Sequence, residues 1–306
     1  MSVSVIIPTT CELRRKESLA RAIHSVVLQD VGEVEVIVVV NGERFDPELF
    51  AQLKADARLK VHYQHEASLP AALRYGRTLV SREFFSFLDD DDEYFPDALR
   101  VRLTPMLHDA AVDVVVTNGY MMEAGAWQLR VRHPHAVNRE PLEALIKENW
   151  LASCGGLFRS STITPDYFDG HTKYFEWTLL AFRLVLAKRK IIFLEAPTYR
   201  INETAQSLSK SREYHQSAIG FIHYLMTLDT SPRVRKALEY KLAAAWHGAS
   251  EDYLNAGERT RAWRCHVKSL LHPGGLKYLG YSWRFFQPRR AARKAGPLDR
   301  TDQRIS

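Results

Sequence analysis

The sequence predicts an α/β protein, with a mainly parallel central sheet carrying helices on both faces and a helical C-terminal region after it. Three observations carry that expectation. Short β-branched runs alternate with helical periodicity through the first 120 residues. The run at 34–40 is almost continuously apolar, as a strand buried on both faces requires. From about residue 213 onward only helical patterns remain.

Taken in order, residues 3–7 form a β-rich run that Pro8 is expected to end. Residues 14–28 repeat apolar positions at Leu19, Ile23, Val26 and Val27, the spacing of an amphipathic helix. The strand at 34–40 closes on the turn pair Asn41-Gly42. Residues 59–63 predict a third strand, 69–80 a helix and 84–88 a fourth strand. Pro96 suits a first helical position and opens a helix to about Leu107. Residues 112–116 predict a fifth strand. The middle is less regular, with strands expected at 127–131, 154–158 and 191–194 and helices at 141–147 and 174–187. Helices follow near 213–228, 232–255 and 258–271, the last broken by Pro273-Gly274-Gly275. In parallel sheets ligands bind beyond the carboxyl ends of the strands. Pro8-Thr9-Thr10, Asn41-Gly42 and Asp89-Asp90-Asp91-Asp92 all follow strand ends, so they are expected on one edge.

The 306 residues are 46% hydrophobic and 25% charged, which excludes a disordered or collagen-like chain. The net charge of +6 hints at an anionic partner. From Tyr281 onward seven Arg or Lys stand against two acids, so the excess lies in the tail. There Leu276, Tyr278, Leu279, Trp283, Phe285 and Phe286 mix with Lys277, Arg284, Arg289 and Arg290. That mixture suits an anionic membrane surface, or else a helix packed on the rest of the protein with a disordered end. Cys11, Cys154 and Cys265 are too sparse for a disulfide framework, so a reducing compartment is expected. With no leader pattern and no long apolar stretch, the chain is expected to be cytoplasmic, with peripheral attachment to the inner face of the membrane left open by the tail.

Four adjacent carboxylates, with Glu93 next, follow Phe84-Phe85-Ser86-Phe87-Leu88. Ionised together they repel one another and call for a cation, and hard oxygen ligands favour Mg²⁺, Mn²⁺ or Ca²⁺ over zinc. The plain alternative is a solvated acidic turn at the start of a helix, where the dipole favours acids. His62 with His65, and His133 with His135, have spacings metals use but no third ligand nearby, and are expected at the surface. No P-loop, nucleophile-elbow or H-E-x-x-H motif is present.

Val3-Ser4-Val5-Ile6-Ile7-Pro8-Thr9-Thr10 resembles the opening strand of family 2 glycosyltransferases, and Ile23-His24-Ser25-Val26-Val27-Leu28-Gln29 the end of their first helix. Asp89-Asp90-Asp91-Asp92, followed by Tyr94-Phe95-Pro96-Asp97-Ala98-Leu99, is similar to that family's D-x-D-D block and its helix. The resemblance implies the Rossmann-like GT-A fold over 1–210, with a nucleotide-binding half at 1–118 and an acceptor-binding half at 119–210, before a basic helical region at 211–306. It also implies an inverting, Mn²⁺- or Mg²⁺-dependent transfer from a nucleoside-diphosphate sugar, foremost a UDP-sugar. The acceptor would be a hydroxyl of a glycan or lipid-linked molecule, in cell-surface polysaccharide or glycolipid synthesis. The Q-x-x-R-W signature of processive members is absent, which argues for a single transfer. Nucleic acid is not the expected partner.

The same resemblance implies residue roles. Asp91 would ligate the metal, with Asp89 the second candidate; Asp89 or Asp90 would face the ribose and uracil. Pro8, Thr9 and Thr10 would line the donor. Asn41 stands where the family commonly has acids; its amide can hydrogen-bond a base but supplies no charge. Arg74 falls near the family's Arg-Asn pair, as a phosphate contact or an exposed helix arginine. Glu176, beside Trp177, would be the general base, with Asp169 in reserve. Gly155 and Gly156 would line the acceptor side with Trp177, and Trp150 would stack on a sugar or join the core. Cys154 is expected to be a small buried hydrophobe. Asn202 stands where a His is frequent. Arg200 would neutralise the leaving diphosphate or form a structural salt bridge. The segment 199–207 resembles a loop that closes over the donor. Two other classes stay open: a nucleotidyltransferase, although Pro8-Thr9-Thr10-Cys11-Glu12 is no Gly-rich basic phosphate loop, and a non-catalytic or degenerate GT-A-like binding protein.

Overall fold

A computed structural model describes residues 1–123, 125–170, 174–202 and 212–286. The chain forms two compact units, one from Met1 to Leu238 and the other beginning at Glu239.

The first unit opens with β1 (Ser2–Thr9), α1 (Lys16–Val27), β2 (Glu33–Asn41), α2 (Pro47–Ala55), β3 (Leu59–Gln64), α3 (Leu69–Thr78) and β4 (Phe84–Phe87). It continues through β5 (Glu93–Tyr94), α4 (Ala98–His108), β6 (Val114–Glu123), β7 (Ala126–Leu129), α5 (Pro134–Arg139) and α6 (Pro141–Lys147). Then come β8 (Gly156–Arg159), α7 (Glu176–Leu186), β9 (Ile191–Ile201) and α8 (Arg212–Thr227). Among the described residues the nine strands form one sheet in the order β3-β2-β1-β4-β8-β6-β9-β5, with β7 paired to β6. The pairs β3-β2, β2-β1, β1-β4 and β6-β9 are parallel. The pairs β4-β8, β8-β6, β6-β7 and β5-β9 are antiparallel.

Burial explains the strand sequences. In β1 and β2 both faces are covered, so Val3, Val5, Ile6, Ile7, Ile37, Val38, Val39 and Val40 are all fully buried. Amphipathic α1 presents Leu19, Ala22, Ile23 and Val26 to this core. Asp46 and Ser68 cap α2 and α3, each accepting the backbone N–H three residues on, and each is followed by a proline in the first turn. Helix α3 lies very close to the sheet. A Cβ on Gly76 would sit 2.5 Å from Ile6 Cγ2.

Three expectations change. Pro8 does not end β1, which runs on to Thr9. The pairing with β4 stops at Ile6, so no neighbour on that side needs an N–H from residue 8. Pro96 does not open the helix. Glu93 and Tyr94 first pair with Arg200 and Tyr199 as a short strand, and Asp97, at φ 62°, turns the chain into α4 at Ala98. Helices α2 and α5 were not anticipated.

The second unit holds most of α9 (Pro232–Asn255), α10 (Arg259–Leu271) and a 3-10 helix at Gly275–Phe285. Ser269 Oγ on α10 donates to Ala243 O, and Ser250 Oγ on α9 donates to Ala262 O, each at 2.8 Å. Among the described residues no helix is long and apolar enough to cross a membrane. Lys173, the loop at 203–207 and the tail cations Arg289, Arg290, Arg293, Lys294, Arg300 and Arg304 lie outside the described residues.

Candidate active site

The acidic run leaves the end of β4 as a tight turn. Leu88 N donates to Ile6 O (3.0 Å) and Asp92 N to Asp89 O (3.1 Å). Tyr94 then returns its hydroxyl to Phe87 O at 2.7 Å, tying β5 back to β4. From β9, Asn202 latches the turn. Its backbone N–H donates to Asp92 Oδ1 (3.1 Å), and its amide donates to Asp91 O (2.8 Å) and Glu93 Oε1 (3.2 Å). On the other side Thr9 Oγ1 donates to Asp90 Oδ2 at 2.5 Å, and Ser153 Oγ to Asp89 Oδ2 at 2.7 Å. The end of β1, the turn after β4 and the loop before β8 therefore meet at one place, as strand-end placement predicts.

Charge compensation there is thin. Among the described residues Arg15 is the cation paired with the run, bonded to Asp90 and 3.5 Å from Asp91 Oδ2. Burial pushes Asp89 up to about 7, with the charge of Asp91 adding to it and the Ser153 hydrogen bond opposing. Burial lifts Asp90 to about 6 against the pull of Arg15 and Thr9. Asp92 is also raised well above the ordinary carboxylate value, by burial and then by Asp89. Burial and mutual repulsion thus outweigh the positive charge and hydrogen bonds that the turn receives. Hard carboxylate oxygens short of positive charge fit Mg²⁺ or Mn²⁺. Among the described residues no group of three or more His, Cys, Asp or Glu is arranged to hold a metal. A Mg²⁺-like ion is commonly held by one or two carboxylates, with substrate phosphates and water completing its shell.

The other predicted residues divide into two groups. Glu176 opens α7, and its Oε1 accepts the N–H of Tyr174 at 2.9 Å. Tyr174 has φ 82°, a strained conformation for a residue with a side chain. Glu176, Trp177, Asp169, Gly170, Pro70 and Leu73 line one cleft. The Trp177 ring stands edge-on to Phe87, centroids 5.2 Å apart. Thr9 and Thr10 lie beside the acidic turn, with Pro8 buried in β1.

The second group is occupied by the protein itself. Asn41 is buried and its amide donates to Thr9 O (3.0 Å), bracing the end of β1. Arg74 and Asp169, expected in separate roles, form an ion pair with each other. Arg200 makes two bonds to Glu93 (2.8 and 3.2 Å), the salt bridge that was the alternative to a diphosphate contact. Trp150 is fully buried and donates to Pro141 O at 2.8 Å, so it joins the core and has no ring face open to a sugar. Gly155 and Gly156 are buried too. A Cβ on them would meet Tyr199 at 3.2 Å and Phe158 at 2.6 Å, so close core packing accounts for both, and the acceptor-side role has no open surface to act through. Cys154 is fully buried, its thiol pushed up by burial.

Three residues escaped the sequence. Arg15 reaches the carboxylates from the 3-10 turn at Leu13–Arg15 that leads into α1, and Ser153 from the loop before β8. Arg102 on α4 is fully buried behind the site. It donates to Thr117 Oγ1 (3.1 Å), Cys154 O (2.8 Å) and Thr198 Oγ1 (2.7 Å) and lies 4.7 Å from the Tyr94 ring centroid. The Arg14-Arg15 pair soon after the first strand was a signal for the first of these; nothing local marks the other two.

A parallel half-sheet, a mixed second half and an acidic turn at their junction define the GT-A class of fold. Crystal structures of S. aureus TarS 1-349 share it. The complex with UDP-GlcNAc superposes with a TM-score of 0.62 at 15% identity, covering 88% of this chain and 81% of that one. The complex with UDP gives 0.58 at 16% identity, covering 95% and 93%. Residues 4–168 match the model for glycosyl transferase family 2, and the chain belongs to that family. An uncharacterized glycosyltransferase of Rickettsia typhi is 30% identical over 118 residues, 39% of this chain. The match spans only 36% of that relative's length. The GalNAc(5)-diNAcBac-PP-undecaprenol beta-1,3-glucosyltransferase of Campylobacter jejuni is 24% identical over 281 residues, 88% of each chain.

Proposed function

We propose that the chain is an inverting glycosyltransferase that moves one sugar from a nucleoside-diphosphate sugar to a hydroxyl of a glycan or lipid-linked acceptor. The carrying observation is the turn at 89–92, four adjacent carboxylates at the end of β4 with Arg15 paired to Asp90 and Asp91, where burial also raises Asp89, Asp90 and Asp92 above their ordinary values. A cation held there, with the diphosphate of a donor, would supply the missing positive charge. Asp91, with Asp89, would hold Mn²⁺ or Mg²⁺, which when bound offsets the charge growing on the departing diphosphate. A uridine diphosphate donor is supported by the TarS complexes with UDP-GlcNAc and UDP. A lipid-linked acceptor is supported by the named substrate of the C. jejuni relative. Synthesis of cell-surface glycans belongs to the same proposal.

The chain's own residues divide the work. Thr9, Asn202 and Ser153 hold the acidic turn in place. Glu176 takes the proton of the acceptor hydroxyl as that oxygen attacks the anomeric carbon and the diphosphate leaves from the opposite face. A positioned base of this kind contributes about 10²–10⁴-fold. Trp177 and Leu73 wall the cleft on which Glu176 opens. The test is release of nucleoside diphosphate from a panel of nucleotide sugars with Mn²⁺ present. Asp91→Asn should abolish release, and Glu176→Gln should lower turnover by about 10²-fold or more with donor binding kept. Full activity in Asp91→Asn would defeat the proposal; unchanged turnover in Glu176→Gln would move the base elsewhere.

A further inference from the structure

The second unit carries a surface rich in cations and exposed apolar side chains. Residues 259–286 contain six Arg or Lys (Arg259, Arg261, Arg264, Lys268, Lys277, Arg284) and no Asp or Glu. The same stretch exposes large apolar side chains. In the 3-10 helix Tyr278 stacks on His247 (centroids 3.9 Å apart), and Phe285 packs on Trp263 (5.0 Å). With those rings turned inward, Leu276, Leu279, Trp283 and Phe286 are left outside, 73%, 57%, 61% and 80% exposed. Leu271, at the end of α10, is 79% exposed.

Trp263 connects this helix to a second feature. It lies 6.4 Å from Phe286, and it lines an open groove of about 470 Å³ with Trp246, Tyr253, Arg261, Arg264 and Lys268. Lys268 Nζ sits 4.2 Å over the Trp246 ring. The groove is walled by indole and phenol rings and edged by cations.

Arg261 is paired with Glu258 and Arg284 with Glu251, while Arg264, Lys268 and Lys277 add positive charge beside the exposed leucine, tryptophan and phenylalanine, which is the chemistry of an interfacial helix. The apolar side chains gain by entering the acyl boundary, and each nearby cation adds attraction to anionic headgroups. Nucleic acid would use the cations but not the exposed leucines. We propose that this face binds the surface of an anionic lipid bilayer. Leu276, Leu279, Trp283 and Phe286 enter the headgroup boundary, while Arg264, Lys268 and Lys277 meet lipid phosphates. This deepens the proposed function by holding the enzyme where a lipid-linked acceptor lies, and it can fail while sugar transfer stands.

The test is co-sedimentation of the full chain with phosphatidylcholine vesicles, with and without phosphatidylglycerol, at low salt. The parent should bind the anionic vesicles and not the neutral ones. Trp283→Ser with Phe286→Ser, and separately Arg264→Glu with Lys268→Glu, should each weaken binding by about tenfold or more. Both variants should keep the parent's circular dichroism and its donor turnover. Inorganic phosphate should not compete at matched ionic strength; full competition would mean a small-anion site and overturn the proposal. So would absence of binding by the parent, or parental binding by both variants. Self-association in the ultracentrifuge that disappears in Trp283→Ser with Phe286→Ser would also overturn it, by making the face a contact between copies.

Discussion

Asp89 is the residue at which burial and charge conflict most openly. Its carboxyl is pushed up to about 7 by burial and by Asp91, against an ordinary value of 3.8. A folded value above the unfolded one means that the native state holds an extra proton between about pH 4 and pH 7. The stability this brings is full below pH 4 and is lost as pH rises through 7. Without metal at pH 8, the parent therefore carries an ionised Asp89 at a cost. Asp89→Asn removes that cost and keeps an oxygen for the Ser153 hydroxyl. In chelator the variant should be more stable than the parent by about 1–2 kcal/mol at pH 8, discounted from the roughly 1.4 kcal/mol per pKa unit for residual solvent screening. The difference should vanish by about pH 4. Urea denaturation at the two pH values measures it. A variant no more stable at pH 8 would show that Asp89 carries no such penalty. The acidic cluster was legible because it is contiguous, whereas its partners Arg15, Ser153 and Asn202 come from three distant segments that no local pattern ties together.

Among elements, the buried parallel strands were the plainest, since burial on both faces writes a β-branched run directly into the sequence. The two-residue strand Glu93–Tyr94 was invisible because its only warrant is a partner more than a hundred residues on. The approach of α3 to β1 was equally hidden, although Gly76 marks it. In an exposed helix Gly→Ala gains about 1 kcal/mol from propensity. Here the new Cβ would lie 2.5 Å from Ile6 Cγ2 and 3.3 Å from Val39 Cγ2, both buried in the sheet. Overpacking of that kind costs about 1–3 kcal/mol and outweighs the propensity gain. Gly76→Ala should therefore lower the free energy of unfolding by up to about 2 kcal/mol net, and the chemical-denaturation midpoint with it. Because α3 also brings Pro70 and Leu73 to the cleft of Glu176, turnover should fall with it. A midpoint at or above that of the parent would show that the helix has room.

At the scale of the molecule, the fold class could be read from the alternation of strands and helices, but the mixed half of the sheet could not. Strands were expected near β7 and β8, at 127–131 and 154–158, but their antiparallel pairing and the two-residue β5 are defined by partners, not by pattern. The halves meet at the acidic turn, so whatever binds there binds the native state and not the unfolded chain. Ligand then adds RT ln(1 + [L]/Kd) to stability, about 2.7 kcal/mol at a hundred times Kd. For a chain of this size that corresponds to a rise of about 5–10 °C in Tm. Mn²⁺ with UDP should produce such a rise in the parent, and Mn²⁺ alone a smaller one. Asp91→Asn should show neither, because the carboxylate assigned to the cation is gone. Glu176→Gln should keep both, because Glu176 is assigned to the acceptor. Differential scanning fluorimetry of the three proteins reads all of these at once, without an acceptor. Equal shifts in Asp91→Asn would move the metal to another carboxylate of the turn. Loss of the shift in Glu176→Gln would place Glu176 with the donor and leave the base to be found elsewhere along the cleft.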